Sequence, residues 1–382
     1  MGSGEPFSRR PRVFYAVLNM GLGHASRSLP LLQQFMRGGW EVIVGSSGRA
    51  LAFLQRELPG CVFVHTPDYG FRYSRNGWLV PVLLAQVPGA LRAIAEERRF
   101  IGKVAEEIKP DLIVSDHCYG MYHRQIPSVF LSHQIFFAVP GWAAGLRKAV
   151  GKFNLFFHRK YNAVLVPDRI EDGGKWGWLS GLLSEVPAPD AQRYRFIGPL
   201  SSLQAEEVPD SLDVLVSISG PEPQRSIFEE LILGQIAGVP GRKAVLLGRS
   251  EARGIQKLED GTVIYPHVSR EVRQRLFNAA EVVVSRPGYS TLMELGELRK
   301  RAVLVPTPGQ TEQIYLAQRL LEKKVCHIVD QKRLDLKKDV QAAKNAQPLE
   351  MPARTRESIS RFFAFIEQLL SEWREGSCED AG

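Results

Sequence analysis

No stretch of the chain reaches the roughly 18 consecutive apolar residues that a membrane-spanning helix needs, so no part of it is expected to cross a bilayer. Cysteine is scarce: Cys61, Cys118, Cys326 and Cys378 lie far apart and form no Cys-x-x-Cys pair. Disulfide frameworks and zinc ribbons are thereby excluded, and a reducing cytoplasm fits. His117, Cys118 and His123 are close in sequence but lack zinc-ligand spacing, so no metal site is expected. The opening residues MGSGEPFSRRPR are polar and basic, with no apolar segment behind them beyond a short strand, which is not the pattern of a signal peptide. Repeats and low-complexity tracts are also missing.

What is present is material for two domains. The 382 residues exceed the usual single-domain length, and 44% hydrophobic residues suffice for two cores. The net charge of +8 is uneven: residues 1–198 carry 24 Lys and Arg against 15 Asp and Glu, and the remainder 25 against 26. The first half is therefore suited to an anionic partner, an acidic lipid surface or a phosphate-bearing acceptor, with a plain solvated basic surface as the alternative. Nucleic acid is not expected as a partner.

Short apolar runs alternate with helical segments. Val13–Leu18, Glu41–Val44, Val62–His65, Leu112–Ser115, Val129–Ser132 and Asn162–Val166 read as strands. A Gly-Pro and serine linker follows near Phe196–Ser202. The pattern then restarts with Val214–Ile218, Ala244–Leu247, Thr262–Tyr265, Val282–Ser285 and Ala302–Val305. Buried strands alternating with helices predict an α/β protein of two Rossmann-like, doubly wound parallel-sheet domains facing a cleft. The domains are placed at 1–198 and 199–352. In the tail, 353–382, the stripe Ile359, Phe362, Phe363, Ile366, Leu369, Leu370 predicts an amphipathic helix that packs back on both.

In such sheets ligands bind beyond the carboxyl ends of the strands. In the first half that edge carries Gly21–His24, Asp116 and His133. The loop GLGHAS has Ser26 where a dinucleotide fingerprint has a third glycine, and the second strand runs into Gly45-Ser46-Ser47 rather than an acid, so a nicotinamide cofactor is disfavoured. His24 would open a helix at the cleft, where the helix N-terminus favours its neutral, basic form; a capping or packing histidine is the alternative. In the second half, SRPGYSTLMEL (285–295) reads as a strand end, a turn at Arg286-Pro287-Gly288, and a helix whose free N–H groups at Ser290 and Thr291 can cradle a diphosphate. Glu294, one turn in, suits ribose hydroxyls, or else is an ordinary acid near a helix start. Glu312 and Gln313 follow the next strand and can hold sugar hydroxyls.

At these residues the chain resembles a known group. SRPGYSTLMEL with VPTPGQTEQIYLAQRL is similar to the donor-binding half of family 28 glycosyltransferases, of the GT-B fold. GLGH, Val114-Ser115-Asp116 and Leu131-Ser132-His133-Gln134 are similar to a bacterial and archaeal branch of that group and of family 1. The resemblance implies an inverting, metal-independent transferase moving a hexose or N-acetylhexosamine from a UDP-sugar donor, without a cofactor. Its acceptor would be a hydroxyl on a small molecule or a lipid-linked one. His24 would be the base and Asp116 its orienting carboxylate. Gly288, Tyr289 and Ser290 would bind the diphosphate, with Gly23, Arg286 and Thr291 at the same place. Ser219 and Gly220 would close over the phosphates. Val268 would contact the base through its backbone, Glu294 the ribose, and Glu312 and Gln313 the sugar. His133 and Trp78 are assigned to the acceptor. No Asp-x-Asp occurs, which disfavours a metal-bridged diphosphate. Basic-aromatic stretches at 71–105 and 142–161 suit the inner face of the cell membrane. The loop NMGLGH, the pair Glu312-Gln313 and Leu316-Ala317 separate the chain from the lipid II enzyme of family 28. A hydrolysing UDP-sugar epimerase and a non-catalytic nucleotide-sugar-binding protein are the alternative readings.

Overall fold

The computed structural model describes residues 9–70, 79–138, 144–171, 173–209, 211–220, 222–249 and 254–379. Among these residues two sheets of seven strands form, their central strands built from the near-continuous apolar runs that a sheet covered on both faces requires. The first contains β1 (Arg12–Val17), β2 (Glu41–Ser46), β3 (Val62–His65), β4 (Leu112–Asp116), β5 (Ser128–Leu131), β6 (Ala163–Val166) and β7 (Tyr194–Phe196). Its spatial order is β3-β2-β1-β4-β5-β6-β7, all parallel. Every residue of β4, β5 and β6 is buried. Helices α1 (Gly23–Arg37), α2 (Gly48–Glu57), α3 (Leu79–Glu107) and α4 (Ala144–His158) make the crossovers.

The second sheet contains β8 (Leu212–Ser217), β9 (Lys243–Leu246), β10 (Gln256–Lys257), β11 (Val263–Tyr265), β12 (Ala280–Ser285), β13 (Arg301–Leu304) and β14 (His327–Ile328). Its order is β10-β11-β9-β8-β12-β13-β14, with only β10 antiparallel. Helices α5 (Gln224–Leu233), α6 (Arg270–Ala279), α7 (Tyr289–Glu297), α8 (Thr311–Glu322) and α9 (Leu336–Asn345) cover it. In each sheet the strand order reverses beside the first strand, between β1 and β4 and between β8 and β12. That reversal opens a crevice at the strands' carboxyl ends.

The last helix, α10 (Thr355–Glu379), is longer than its apolar stripe. Thr355 at its start donates to Glu297 from both N and Oγ1, each at 2.9 Å. Phe362 and Phe363 then meet Phe35 of α1 at 5.8 and 4.6 Å between ring centroids. One apolar cluster thus runs from Tyr15 and Leu29 through Leu292 and Met293 to Phe362, joining both sheets through a shared interior. No helix among the described residues is long and apolar enough to cross a membrane.

The first domain buries several histidines. His158, at the end of α4, is fully enclosed, with Nδ1 3.1 Å from the Tyr194 hydroxyl and Nε2 unpartnered. Burial, helped by Arg193, pulls its pKa down to about 3. Folded, it binds a proton more weakly than unfolded, so its contribution to stability is complete above pH ~6.5 and falls as the pH drops below that. This side chain alone is expected to lower stability by about 2 kcal/mol between pH 7 and 5. Urea unfolding across that range checks it: His158→Gln should shallow the slope by about one proton.

Candidate active site

The site is organised around the carboxyl end of β4, where Asp116 is completely buried. A buried carboxylate needs compensating donors, and one face of α1 supplies them. His24, Arg27 and Ser28 stand at i, i+3 and i+4, hence on one side of the helix. His24 Nδ1 lies 2.7 Å from Asp116 Oδ1. Arg27 grips both carboxylate oxygens, Nε at 2.9 Å from Oδ2 and Nη2 on Oδ1. Ser28 Oγ donates to Oδ2 at 2.8 Å. Burial pushes the carboxyl pKa up, but Arg27 and then His24 overcome this and hold it well below the usual range. Asp116 is therefore ionised and accepts only; Arg27 Nη2 also lies 3.0 Å from His24 Nδ1 but is committed to Asp116 Oδ1, so the shorter Asp116 contact takes the proton of neutral His24 on Nδ1 and leaves the lone pair on Nε2.

Burial lowers the pKa of His24 and the Arg27 charge lowers it further, against the opposing pull of Asp116. The sequence points to the helix N-terminus as the cause of a neutral His24; in the folded protein burial and Arg27 come first. α1 begins at Gly23, so His24 lies inside its first turn.

Arg27 also extends the network. Its Nη1 lies 2.9 Å from His133 Nδ1. Guanidinium can only donate, so His133 is neutral at Nδ1 and carries its proton on Nε2. That nitrogen donates across the domain boundary to Glu312 Oε1 at 2.9 Å. The His133 ring stacks on Tyr289 at 3.8 Å and 18°. Tyr289 in turn donates to the Pro167 carbonyl at 3.0 Å. His133, assigned from sequence to the acceptor, thus sits between the domains on the residue assigned to the donor sugar.

Beside this network two helices start face to face. Ser290 Oγ of α7 donates to the Gly23 carbonyl of α1 at 2.9 Å. Glycine at 23 eases the approach, since a Cβ there would lie 3.0 Å from Ser290 Oγ and press on that hydroxyl. Neither helix has a side-chain cap or an acid in its first turn, so their leading amides have no carboxylate competitor. Gly288 is the N-cap of α7, and Thr291 is half-buried in its first turn. Ser219 and Gly220 stand exposed beyond β8, Gly220 with φ of 119°. Val268 follows β11, half-buried against the core. Gln313 accepts from the Thr307 amide at 2.9 Å and so braces the turn before α8.

Two of the sequence-assigned residues are held by other side chains or by backbone groups, and a third is not described. Arg286, expected at the phosphates, is buried under the sheet edge, its guanidinium 4.0 Å from the Phe228 ring centroid. It donates to the carbonyls of Val305 (2.9 Å) and Pro306 (3.2 Å) and to Gln331 Oε1 (2.6 Å). Burial pulls its pKa down to about 10. Its two terminal nitrogens brace the loops at the sheet edge, while its Nε is buried without a partner. Glu294, expected to face an open ribose site, is 3% exposed and already engaged by Arg273, Ser202 and Ser26. Trp78 lies outside the described residues. Among the described residues no group of three or more His, Cys, Asp or Glu side chains is arranged to hold a metal ion.

Sequence reasoning does not single out Arg27 or Arg273. The i, i+3 spacing of His24 and Arg27 behind a strand-end loop is a usable signal for the first. Arg273 carries none, since its partner lies on another helix.

Comparison with known proteins agrees with this architecture. The model of the glycosyltransferase family 28 C-terminal domain matches residues 261–369, and a glycosyl transferase family 1 model matches residues 11–132. An uncharacterised glycosyltransferase of Methanopyrus kandleri is 24% identical over 357 residues, covering 87% of this chain and 94% of that protein. One from Methanosarcina mazei is 24% identical over 174 residues, 41% of this chain and 43% of that protein. Among solved structures, the glycosyltransferase of kitacinnamycin superposes with a TM-score of 0.64 at 16% identity, covering 95% of this chain and all of that one. The calicheamicin glycosyltransferase CalG4 gives 0.61 at 16% identity, over 95% and 99%. MurG of Acinetobacter baumannii gives 0.51 at 14% identity, over 92% and 98%. These last likenesses speak for the fold; with a family 1 glycosyl transferase match in the first half and a family 28 C-terminal match in the second, the chain is a glycosyltransferase of the GT-B fold.

Proposed function

We propose that the chain is an inverting, metal-independent glycosyltransferase that moves a hexose or N-acetylhexosamine from a nucleoside diphosphate sugar, of the UDP-sugar type, to a hydroxyl acceptor. The observation that carries this reading is the meeting of two uncapped helix N-termini, α1 and α7, next to the His24–Asp116 pair. Two such termini favour an anion between them, and a diphosphate is the anion that a glycosyl donor brings. A further solved neighbour, the Streptomyces glycosyltransferase SsfS6 (TM-score 0.57, 17% identity, 94% of this chain and 100% of that one), was crystallised with thymidine diphosphate.

In the proposed step the acceptor hydroxyl gives its proton to His24 Nε2 while its oxygen bonds to the anomeric carbon. The bond from that carbon to the diphosphate oxygen breaks, and its electron pair leaves with the nucleoside diphosphate. Asp116 stabilises the imidazolium formed on His24. Amides at Tyr289, Ser290 and Thr291 meet the charge developing on the leaving group. Glu312 and Gln313 border the place of the sugar, and Ser219, Gly220 and Val268 that of the phosphates and base. A single displacement of this kind inverts the anomeric centre.

The acceptor belongs on the basic first half. There Phe156 stands 57% exposed with Lys160 Nζ 4.8 Å from its ring centroid. An aromatic side chain flanked by lysine suits a lipid-linked acceptor on an anionic surface. Flotation with anionic liposomes at low salt should carry the protein upward; no binding would assign a soluble acceptor.

With nucleotide-sugar turnover as the readout, His24→Ala and Asp116→Asn should each slow the reaction on the order of a hundredfold or more, and unchanged rates in both would remove the pair from the mechanism. The pH profile of the wild-type rate should keep its acid limb below pH ~6.5, because burial and then Arg27 depress His24. Arg27→Met takes away a positive neighbour, so the His24 pKa and the acid limb should both move to higher pH. Ring NMR titration checks the first and the rate profile the second; a limb that stays in place sinks the assignment of Arg27 as the group that tunes the base.

A further inference from the structure

The turn that follows β4, residues 117–120, is pinned from several sides. Ser115 Oγ donates to the Cys118 carbonyl at 2.6 Å and accepts from the Cys118 amide at 3.1 Å. The Tyr161 hydroxyl donates to the same carbonyl at 2.8 Å. The Tyr119 amide donates to the Tyr69 hydroxyl at 2.9 Å, and the Gly120 amide to Glu97 Oε2 at 2.7 Å. At the head of this turn His117 has a left-handed backbone, with φ of 64°. A residue with a Cβ is strained there, and such strain persists only where the surroundings enforce it.

The turn sets the His117 ring against that of His24, with 5.4 Å between centroids and 47° between planes. Burial above all, and then His24 and Arg27, hold the His117 pKa well below the usual histidine range, so the ring is neutral. Asn154 decides which nitrogen carries the proton. Its Nδ2 donates to the Ile135 carbonyl at 2.9 Å, so its Oδ1 accepts the proton of the Tyr119 hydroxyl, at 3.0 Å. The Tyr119 oxygen is left to accept from His117 Nε2, 3.5 Å away. The proton is therefore on Nε2 and the lone pair on Nδ1. Nδ1 is buried and has no hydrogen-bond partner, which is unfavourable for an acceptor. Strain and an unpaired nitrogen thus meet in one residue, beside the base. A hydroxyl that delivers its proton to His24 Nε2 arrives next to His117. A second hydroxyl on the neighbouring carbon can donate to Nδ1, whereas a lone alcohol leaves Nδ1 unpaired throughout the reaction. Strong discrimination between hydroxyl and hydrogen arises where a buried group is left unpaired in this way.

We infer that His117 Nδ1 accepts a hydrogen bond from the acceptor molecule, and that this acceptor is a polyol of the sugar type, with a second hydroxyl vicinal to the one that attacks. This rests on the proposed role of His24 as the base. The second hydroxyl keeps its proton; His117 binds and orients it and takes no part in proton transfer. The test is release of UDP from UDP-glucose and from UDP-N-acetylglucosamine by the full chain, with trans-1,2-cyclohexanediol or cyclohexanol as acceptor. The diol should exceed cyclohexanol in kcat/KM by about tenfold or more, and equal values overturn the inference. His117→Phe keeps a ring against His24 and removes the lone pair, so the ratio should fall to within about threefold. His117→Gly removes the side chain where the backbone favours glycine, and should give the same result even if a phenyl ring disturbs the turn. His117→Asn tolerates the left-handed backbone and offers an amide oxygen near the place of Nδ1, so it should retain the preference. A ratio that Phe and Gly leave unchanged, or that Asn loses as fully as they do, overturns the role given to Nδ1 while leaving the base in place. If neither alcohol stimulates release although UDP binds by calorimetry, the transfer step at His24 falls and the inference with it.

Discussion

Everything near the domain boundary depends on one buried anion. Asp116 sits where a parallel strand ends inside the protein, and an uncompensated charge there would cost several kcal/mol. The compensation fixes much else. It requires the face of α1 that bears His24, Arg27 and Ser28 to lie against β4, which sets the rotation of that helix about its axis. It decides which nitrogen of His24 holds the proton. Through the remaining arm of Arg27 it decides the same for His133, and His133 passes the constraint to Glu312 in the other domain. The carboxylate, the guanidinium and the two rings form a chain of defined proton positions from the interior of one sheet to the start of α8.

The second domain is held to this chain from a different side as well. The stretch after β6 sends Glu171 to Arg319 of α8 and to Lys323 just beyond its end, and the Leu182 amide donates to the Tyr315 hydroxyl at 2.8 Å. Arg319 also reaches the carbonyl of Trp178 at 2.9 Å. α8 is therefore gripped at its first turn by His133 and along its length by residues 171–182. Position along this helix places Glu312 and Gln313, so the distance between the His24–Asp116 pair and groups on α8's side is set by the first domain's own connections. Reaction geometry in a two-domain enzyme tolerates little slack, and α10, crossing from the second domain to Phe35, closes the assembly at the back.

Part of the site is legible in the linear order of residues. The strand-end rule locates Asp116 and His24 independently, and the fold brings them to 2.7 Å. The turn before α7 is legible because Pro287 and Gly288 mark it and a serine follows. Arg286 misleads for a physical reason: an arginine at a strand end is equally suited to phosphates and to orphaned carbonyls, and only the neighbouring loops decide. Glu294 stands on the helix where the sequence puts it, but its neighbours carry no sequence signal: Arg273 comes from α6, and the hydroxyls beside it come from α1 and the linker.

What the sequence determined by itself was local and periodic. The apolar strand runs, their alternation with helices, the restart after the linker and the residues at each strand end follow from spacing along one chain, and these dictate two doubly wound sheets with their chemistry at the carboxyl edges. Pairings between elements were decided only by the tertiary structure. Whether a charged side chain faces a ligand or another side chain depends on which groups from distant segments arrive at hydrogen-bond distance, and burial makes every such meeting obligatory. Arg27 on Asp116, Arg273 on Glu294 and His133 on Glu312 span 89, 21 and 179 residues of chain; no periodicity reaches across such separations, so only the packed molecule could assign these partners.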